Sequence, residues 1–387
     1  MLTTHAESSF LEEPLVPRRT GFQEFWLVFK KNRLAIIGLF MFCIFFLAAI
    51  LGLLATSGHD PVFNPAIVRL QEKLLPPMSK PDYETLRPEE IPYFGLYVLG
   101  TDDLGRDVFA RMFQGAWVSL TVGFVAVLIS VIVGIIMGGM AGYFGHKNIY
   151  LDNLLFFIFI LSGLTMFLIG QSLAGLIALI PIILHFVFKG LLRSMHIIKI
   201  WTWWKKILHK QVFSIDTLIM RIVDIMLCFP SFFLILTVVA LLPASIYNIM
   251  IVIGLTSWMG TTRFVRAEFL SLRDQDFVTA ARALGLSDLR IIFRHIMPNA
   301  IAPVLVSSTI GVATAILTEA GLSFLGFGVP PPHATWGNIL SDGKAFIFDA
   351  PWLTFIPGFA ILIAVLSFNL FGEGLRDTLN PKLRERQ

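Results

Sequence analysis

Charge is what this sequence has least of. Only 14% of its 387 residues are Asp, Glu, Lys or Arg, against about 25% in soluble domains. Hydrophobic residues make up 56% and the mean hydropathy is +0.77. Phenylalanine alone, at 36, outnumbers Asp and Glu together, at 26. So few charges cannot cover a water-facing surface, which excludes a soluble enzyme and implies an all-α, polytopic membrane protein. Cysteine is nearly absent. Cys43 and Cys228 lie in apolar runs with no CxxC or Cys/His neighbour, so no disulfide framework or metal site is expected, and both read as small buried hydrophobes. The net charge of +4 does not point to nucleic acid, because the bases sit in short loops between apolar runs. A cleaved leader is not expected either: residues 1–33 are polar, and the first apolar run is too long for a signal h-region.

A helix needs about 20 apolar residues to cross the hydrocarbon core. Six runs qualify, at 34–55, 117–141, 218–242, 244–260, 299–318 and 351–371. Arg18, Arg19, Lys30, Lys31 and Arg33 precede the first, which puts the N-terminus in the cytoplasm. Residues 56–116, with nine acids and six bases, then fall outside. The segment 261–298 returns inside with six arginines, 319–350 falls outside with Lys344 as its one Lys or Arg, and the tail after 372 ends inside.

Residues 146–215 stand apart. Acids are missing from Asn153 to Ile215, and 154–188 are almost continuously apolar. Lys189, Arg193, Lys199, Lys205, Lys206 and Lys210 follow, with Trp201, Trp203 and Trp204 among them. Both ends of this segment lie inside, so it crosses an even number of times. The favoured reading is a hairpin of spans at 154–170 and 172–188 followed by a basic interfacial stretch, with a re-entrant or surface-lying insert as the alternative.

Several residues within the spans carry two readings each. Gly134, Gly138 and Gly142 recur every four residues, which places small residues on one helix face for close packing or along a pathway. Arg221 and Asp224 are three apart and can pair on one face, as a structural pair or a gating element. Pro230 is expected to kink its span. Glu319, at the outer end of its span, either sits among headgroups or helps line an outer gate. The histidines are scattered, and no nucleophile–base pair or zinc-like spacing is seen, so no catalytic or metal residue is expected.

Four ordered motifs carry function. The cytoplasmic segment 276–299 is helical in character and clusters Ala280, Ala281, Ala283 and Gly285, with Arg282, Arg290 and Arg294 able to reach acidic partners. Ala280-Ala281, then Gly285, then His295-Ile296-Met297-Pro298 resembles the EAA loop of ABC importer permeases. Thr279 stands where that family often has Glu, and His295 and Met297 where it has Ile and Leu. Leu99-Gly100-Thr101-Asp102-Asp103-Leu104-Gly105-Arg106-Asp107 resembles the LGTD-x-x-GRD segment of oligopeptide, dipeptide and nickel permeases. Glu319 to Gly326 with Pro331-Pro332 and Trp336-Gly337-Asn338 is similar to their last outer loop, and Asn369 to Asp377 with Asn380-Pro381 to their C-terminal end.

The resemblance covers about 99–145 and 216–382. It implies the type I permease fold, with six core transmembrane helices plus the extra hairpin, in a bacterial cytoplasmic membrane with both termini inside. It also implies a C-type subunit of a peptide importer that works with a second related permease, two ABC ATPases and an extracytoplasmic solute-binding protein, within membrane lipid. The loop would form a coupling helix docking on an ATPase through Ala280, Ala281, Arg282, Gly285, Leu286, Ser287 and Asp288, with Pro298 opening the next span. A P-loop needs GxxxxGK[ST], and the one Gly-Lys pair, Gly343-Lys344, is followed by Ala345. ATP and Mg would therefore be held by the partner ATPases, with no cofactor in this chain. The reading from another class is a stand-alone secondary transporter or channel, but no inverted symmetry is visible.

Overall fold

The computed structural model describes residues 21–58, 61–145, 147–150 and 211–379. The expected spans at 154–170 and 172–188 lie outside the described residues.

Helix α1 (Gly21–Lys31) ends on Lys30 and Lys31, cations that suit the negative end of a helix dipole. Asn32 then turns the chain and caps α2 (Arg33–Thr56), its Oδ1 accepting from Leu34 N at 3.1 Å and Ala35 N at 3.2 Å. Residues 57–58 and 61–107 form a lobe of turns and short 3₁₀ segments; its end of the bundle is called outer and the opposite end inner, after the orientation expected from the Lys and Arg distribution. Asp107 caps α3 (Val108–Phe144), accepting from Phe109 N at 2.9 Å. After α3 a short strand β1 (Asn148–Tyr150) pairs antiparallel with β2 (Gln211–Ser214), so the chain leaves and re-enters the described fold at one place. Then come α4 (Ile215–Leu227), α5 (Ser231–Leu241), α6 (Ile246–Leu272), α7 (Asp276–Ala283) and α8 (Asp288–Ile291). A π turn (Ile292–Ile296) leads into α9 (Met297–Phe324), and α10 (Trp336–Gly343) and α11 (Trp352–Leu379) complete the described fold.

Among the described residues, Arg33–Thr56, Val108–Phe144, Asp288–Phe324 and Trp352–Leu379 are each long and apolar enough to cross a membrane. The run at 218–242 carries the break expected at Pro230: it forms the pair α4–α5, bent by 81°, which is apolar enough as a pair for one broken span or a re-entrant loop. Pro230 cannot donate to a helical ladder, and its ring disfavours helical geometry at Phe229. The run at 244–260 extends to Leu272, but Thr256, Ser257, Thr261, Thr262, Arg263 and Arg266 leave it less apolar than the other four. It packs along α3 in the most extensive helix pairing among the described residues.

Smaller expectations fare unevenly. Pro298 stands at the second position of α9, in the first helical turn as expected, but no loop precedes it: α8, the π turn and α9 run on as one helical rod, Asp288–Phe324. The tail expected from 373 begins as helix, since α11 runs to Leu379. Cys43 and Cys228 are exposed rather than buried: Cys43 sits on a face of α2 turned away from this chain's own core, and Cys228 in the turn that follows α4.

The two largest apolar clusters among the described residues hold the bundle. The larger gathers Val122 and Ala126 of α3, Ile249 and Ile253 of α6, Val312 and Ile316 of α9, and Phe368 of α11. The inner core gathers Tyr143, Val265, Phe269, Val278, Ala281, Ile291 and Ile296 at the end that carries α7 and α8.

Candidate coupling surface, buried braces and outer network

The α7 segment is built by its glycine. Leu286 N donates to Ala281 O at 3.2 Å and Gly285 N to Arg282 O at 2.9 Å, the paired bonds of a Schellman C-cap. That cap needs a left-handed residue one position past the helix end, and Gly285 supplies it with φ +74°. The two alanines differ in role. Ala281 and Val278 are buried against Phe269 and Ile291, whereas Ala280 faces outward. Ser287 is extended and precedes α8, making no side-chain cap.

Facing away from the core around Gly285 are Phe277, Leu284, Leu289 and Phe293, with Leu284 80% exposed, interspersed with Arg290 and Arg294. Apolar side chains gathered on a surface mark an interaction site. Motif spacing did not single these out; the signal available was their position off the Val278–Ala281 face. Asp288, half-exposed, reaches toward the end of α3 instead, accepting from Tyr143 Oη at 2.8 Å and from Lys147 Nζ at 3.4 Å. The Arg282 guanidinium lies 5.3 Å from the centre of the same tyrosine ring. Asp288 therefore braces the segment to the inner end of α3, while Gly285 and Leu284 face outward.

Gly134, Gly138 and Gly142 line the α3 face against α6. A Cβ at Gly134 would lie 2.6 Å from Thr261 Cβ, one at Gly138 2.6 Å from Thr262 O, and one at Gly142 2.5 Å from Phe269 Cβ. Backbone stands within that distance at the middle position, so no side-chain rearrangement can make room. Gly138→Val is expected to cost about 1–3 kcal/mol through overpacking, read as a lower unfolding midpoint in detergent. An unchanged midpoint would show that the two helices can separate freely.

The expected pairing of Arg221 with Asp224 is not formed. Asp224 pairs across helices with Arg263 at 2.6 Å, and Asp216 takes the bidentate fork of Arg266. Arg221 faces outward on α4. Two aspartates on α4 thus meet two arginines one turn apart on α6, a geometry more favourable than a strained pair along one helix.

Glu319 is buried, not among headgroups. Ser323 Oγ donates to its Oε1 at 2.7 Å and Ser119 Oγ to its Oε2 at 3.2 Å. Trp336 N donates to that same Ser119 Oγ at 3.3 Å. The carboxylate therefore ties α9, α3 and α10 together at their outer ends.

The LGTDDLGRD segment forms the adjoining network. Asp102 is fully buried and accepts from Leu104 N, Arg106 N, Arg106 Nε and Arg111 Nη1. Asp342 of α10 accepts from Arg111 Nη2 at 2.9 Å and Arg106 Nη2 at 3.0 Å. Thr101 Oγ1 donates to Glu72 O at 2.6 Å and accepts from Leu75 N at 2.8 Å. Gly105, at φ +71°, lies so close to the Arg69 carbonyl that a Cβ would overlap it. This segment joins the outer lobe, the start of α3 and α10, beside a cavity of about 650 Å³ lined by Arg106, Arg111, His333, Asn338 and Asp342. Asp102, Asp103 and Asp342 bring their oxygens together, and the two arginines meet that charge.

Residues 207–385 match the family model described as a binding-protein-dependent transport system inner membrane component, and residues 20–77 match the N-terminal TM domain of oligopeptide transport permease C. The dipeptide transport system permease protein DppC of Alkalihalophilus pseudofirmus is 34% identical over 99% of this chain and 100% of its own length. The chain belongs to the binding-protein-dependent transport permeases. The permease also resembles the dipeptide permease DppC of Haemophilus influenzae (33% identical, 95% of this chain and 97% of the relative). It is 31% identical to the oligopeptide permease OppC of Bacillus subtilis over 93% of this chain and 89% of the relative. The larger family match begins at 207, so it takes in α4 to α11 and with them the whole α7–α8 surface.

The permease holds two acids of the Leu99–Asp107 segment against their burial, Asp103 and Asp107. Burial, then the neighbouring Asp102 and Asp342 carboxylates, push the Asp103 carboxyl above the ordinary range. A carboxyl raised on folding favours the folded state most when protonated, and that advantage is lost as pH rises through the folded value. Asp103→Asn is therefore expected to raise the unfolding midpoint at pH 7 by roughly 1–3 °C. The difference from the native protein should shrink toward pH 4; a gain that stays constant with pH would refute the assignment.

Proposed function

We propose that this chain is the C-type permease subunit of an ATP-driven importer for peptides, with α7–α8 as its ATPase-docking segment. In this reading it works beside a second related permease, two ABC ATPases that carry the ATP and Mg, and an extracytoplasmic solute-binding protein. Both termini and α7–α8 lie on the cytoplasmic side, in keeping with the distribution of Lys and Arg. The peptide class follows the named substrates of the relatives.

The observation that carries the proposal is the continuity of the rod. The α7–α8 surface runs on through the π turn into α9, and α8, the π turn and α9 make one rod of 37 residues, Asp288–Phe324, about 55 Å long at 1.5 Å per residue. Its far end holds Glu319, hydrogen-bonded to Ser119 and Ser323 beside α10. Movement of a docked ATPase would press on Leu284 and Leu289, and the Tyr143–Asp288 contact would pass that displacement to α3. The rod would carry it to the outer network. ATP binding and release would then stabilise outward-facing and inward-facing states in turn, which moves a solute without chemistry in this chain.

The test is gentle detergent purification of the tagged chain, mass spectrometry of what co-purifies, and peptide uptake after reconstitution. Recovery of a second permease and P-loop ATPases, with ATP-dependent uptake of a labelled dipeptide, is expected. A lone chain that moves solute in liposomes without ATPases would overturn the proposal in favour of a secondary transporter or channel.

A further inference from the structure

We infer that a hydroxyl-lined groove between the middles of α3, α6 and α9 holds the neutral amide backbone of the peptide during passage, an inference that rests on the peptide-import reading above. The groove encloses about 280 Å³, near the lower end of the range for ligand pockets. Ser130, Ser257, Thr261, Ser308 and Thr314 line it, and no Asp, Glu, Lys or Arg does so among the described residues.

Two observations separate this groove from ordinary helix packing. Ser130 is only 3% exposed, lines the groove, and makes no hydrogen bond to any described residue. Its oxygen is not sealed within the packing but opens onto the groove; a hydroxyl left there without a partner is costly, and in the membrane interior no lipid can supply one. A solute or water in the groove can. The second is Gly260. It has ordinary backbone geometry, and a Cβ there would meet nothing within 4 Å among the described residues. Unlike Gly134, Gly138 and Gly142, it serves neither a turn nor a close helix contact among them. What its missing side chain does is keep the groove open.

The chemistry of the wall selects the ligand. Ser257 Oγ donates to Ile253 O at 2.7 Å, Ser308 Oγ to Val304 O at 2.7 Å and Thr314 Oγ1 to Ile310 O at 3.1 Å. Each spends its one proton on its own helix and keeps lone pairs to accept with. The wall therefore presents mainly acceptors, matched to peptide N–H groups, while Ser130 can donate to a peptide carbonyl. Without a charge on the wall it discriminates little between side chains, and no ion pair holds the solute back from leaving.

The test uses the reconstituted full transporter with radiolabelled trialanine. Gly260→Leu is expected to reduce ATP-driven uptake at least tenfold while the subunits still co-purify. Ser130→Ala is expected to reduce uptake about threefold, with Ser130→Thr restoring it, which separates loss of the hydroxyl from loss of assembly. With Cys43 and Cys228 replaced by Ser, a cysteine at position 257 introduced by Ser257→Cys should react with a small charged methanethiosulfonate, and trialanine should slow that reaction. Wild-type uptake by Gly260→Leu would overturn the groove while leaving the import reading intact. So would a Ser257→Cys protein that reacts only with a membrane-soluble maleimide or crosslinks to the second permease. Failure of the wild-type transporter to import any peptide would instead overturn both readings.

Discussion

Gly285→Trp is expected to abolish ATP-driven uptake, by a hundredfold or more, while the chain still inserts and folds. Position 285 follows the end of α7 in the left-handed region at φ +74°, and among the described residues nothing lies within 4 Å of where its Cβ would be. Leaving glycine costs about 1–2 kcal/mol for an L-residue held in that conformation, too little to unfold a bundle with two large apolar clusters. An indole there would project into the space beside Leu284 and Leu289, where the proposed ATPase contact forms. Loss should appear as failure of the ATPases to co-purify, with membrane yield of the permease near normal. Gly285→Asn, which tolerates the left-handed region and adds little bulk, should retain most uptake and so separates strain from obstruction. Wild-type uptake by Gly285→Trp would remove α7–α8 as the docking segment.

Much of this architecture is legible in the sequence because membrane helices announce themselves by composition. The span at 34–55 differs from the helix Arg33–Thr56 by one residue at each end, since lipid leaves few alternatives to a continuous apolar helix. The α7 segment is legible for a different reason: its Schellman cap requires glycine at a fixed distance from the buried alanine, so spacing alone encodes the turn. The bend at Cys228–Pro230 is only half legible. Proline signals a break, but the 81° angle depends on how α5 packs against α6, which local sequence does not specify.

Polar partners are the least legible part. Arg221 and Asp224 satisfy the rule for neighbours on one helix, yet Asp224 reaches Arg263, 39 positions along, because α4 and α6 bring two aspartates opposite two arginines. Glu319 reads from sequence as a residue near a boundary. Its burial depends on Ser119, 200 positions away, and on α10 folding back over the outer ends of α3 and α9. The motif Leu99–Asp107 is visible as a pattern, but its physical purpose emerges only when Asp342 arrives from α10 to share its arginines.

That sharing makes Asp102 the position where one substitution outside the coupling segment should do most damage. Its carboxylate is fully buried and accepts four hydrogen bonds, two from backbone N–H groups and two from guanidinium groups. Asp102→Leu removes both acceptor oxygens, and with them all four hydrogen bonds, and leaves Arg111, itself buried, with Asp342 as its remaining carboxylate. Breaking a buried ion pair from one side costs about 3–5 kcal/mol, because the surviving charge stays desolvated. Arg106→Leu should cost less: Arg106 is the more exposed of the two arginines, and its loss leaves Arg111 on both Asp102 and Asp342. The ordering, Asp102→Leu well below Arg106→Leu in unfolding midpoint, is the measurement that matters. Equal midpoints would mean that Asp102 is held by its turn rather than by its arginines. A gain in stability for Asp102→Leu would mean that burying this charge costs more than its four bonds return. The predicted loss should also reach transport, since Arg111 belongs to the first turn of α3 and Asp342 to α10. Loosening their junction frees the outer end of α3 from the element against which Glu319 and Ser119 hold it.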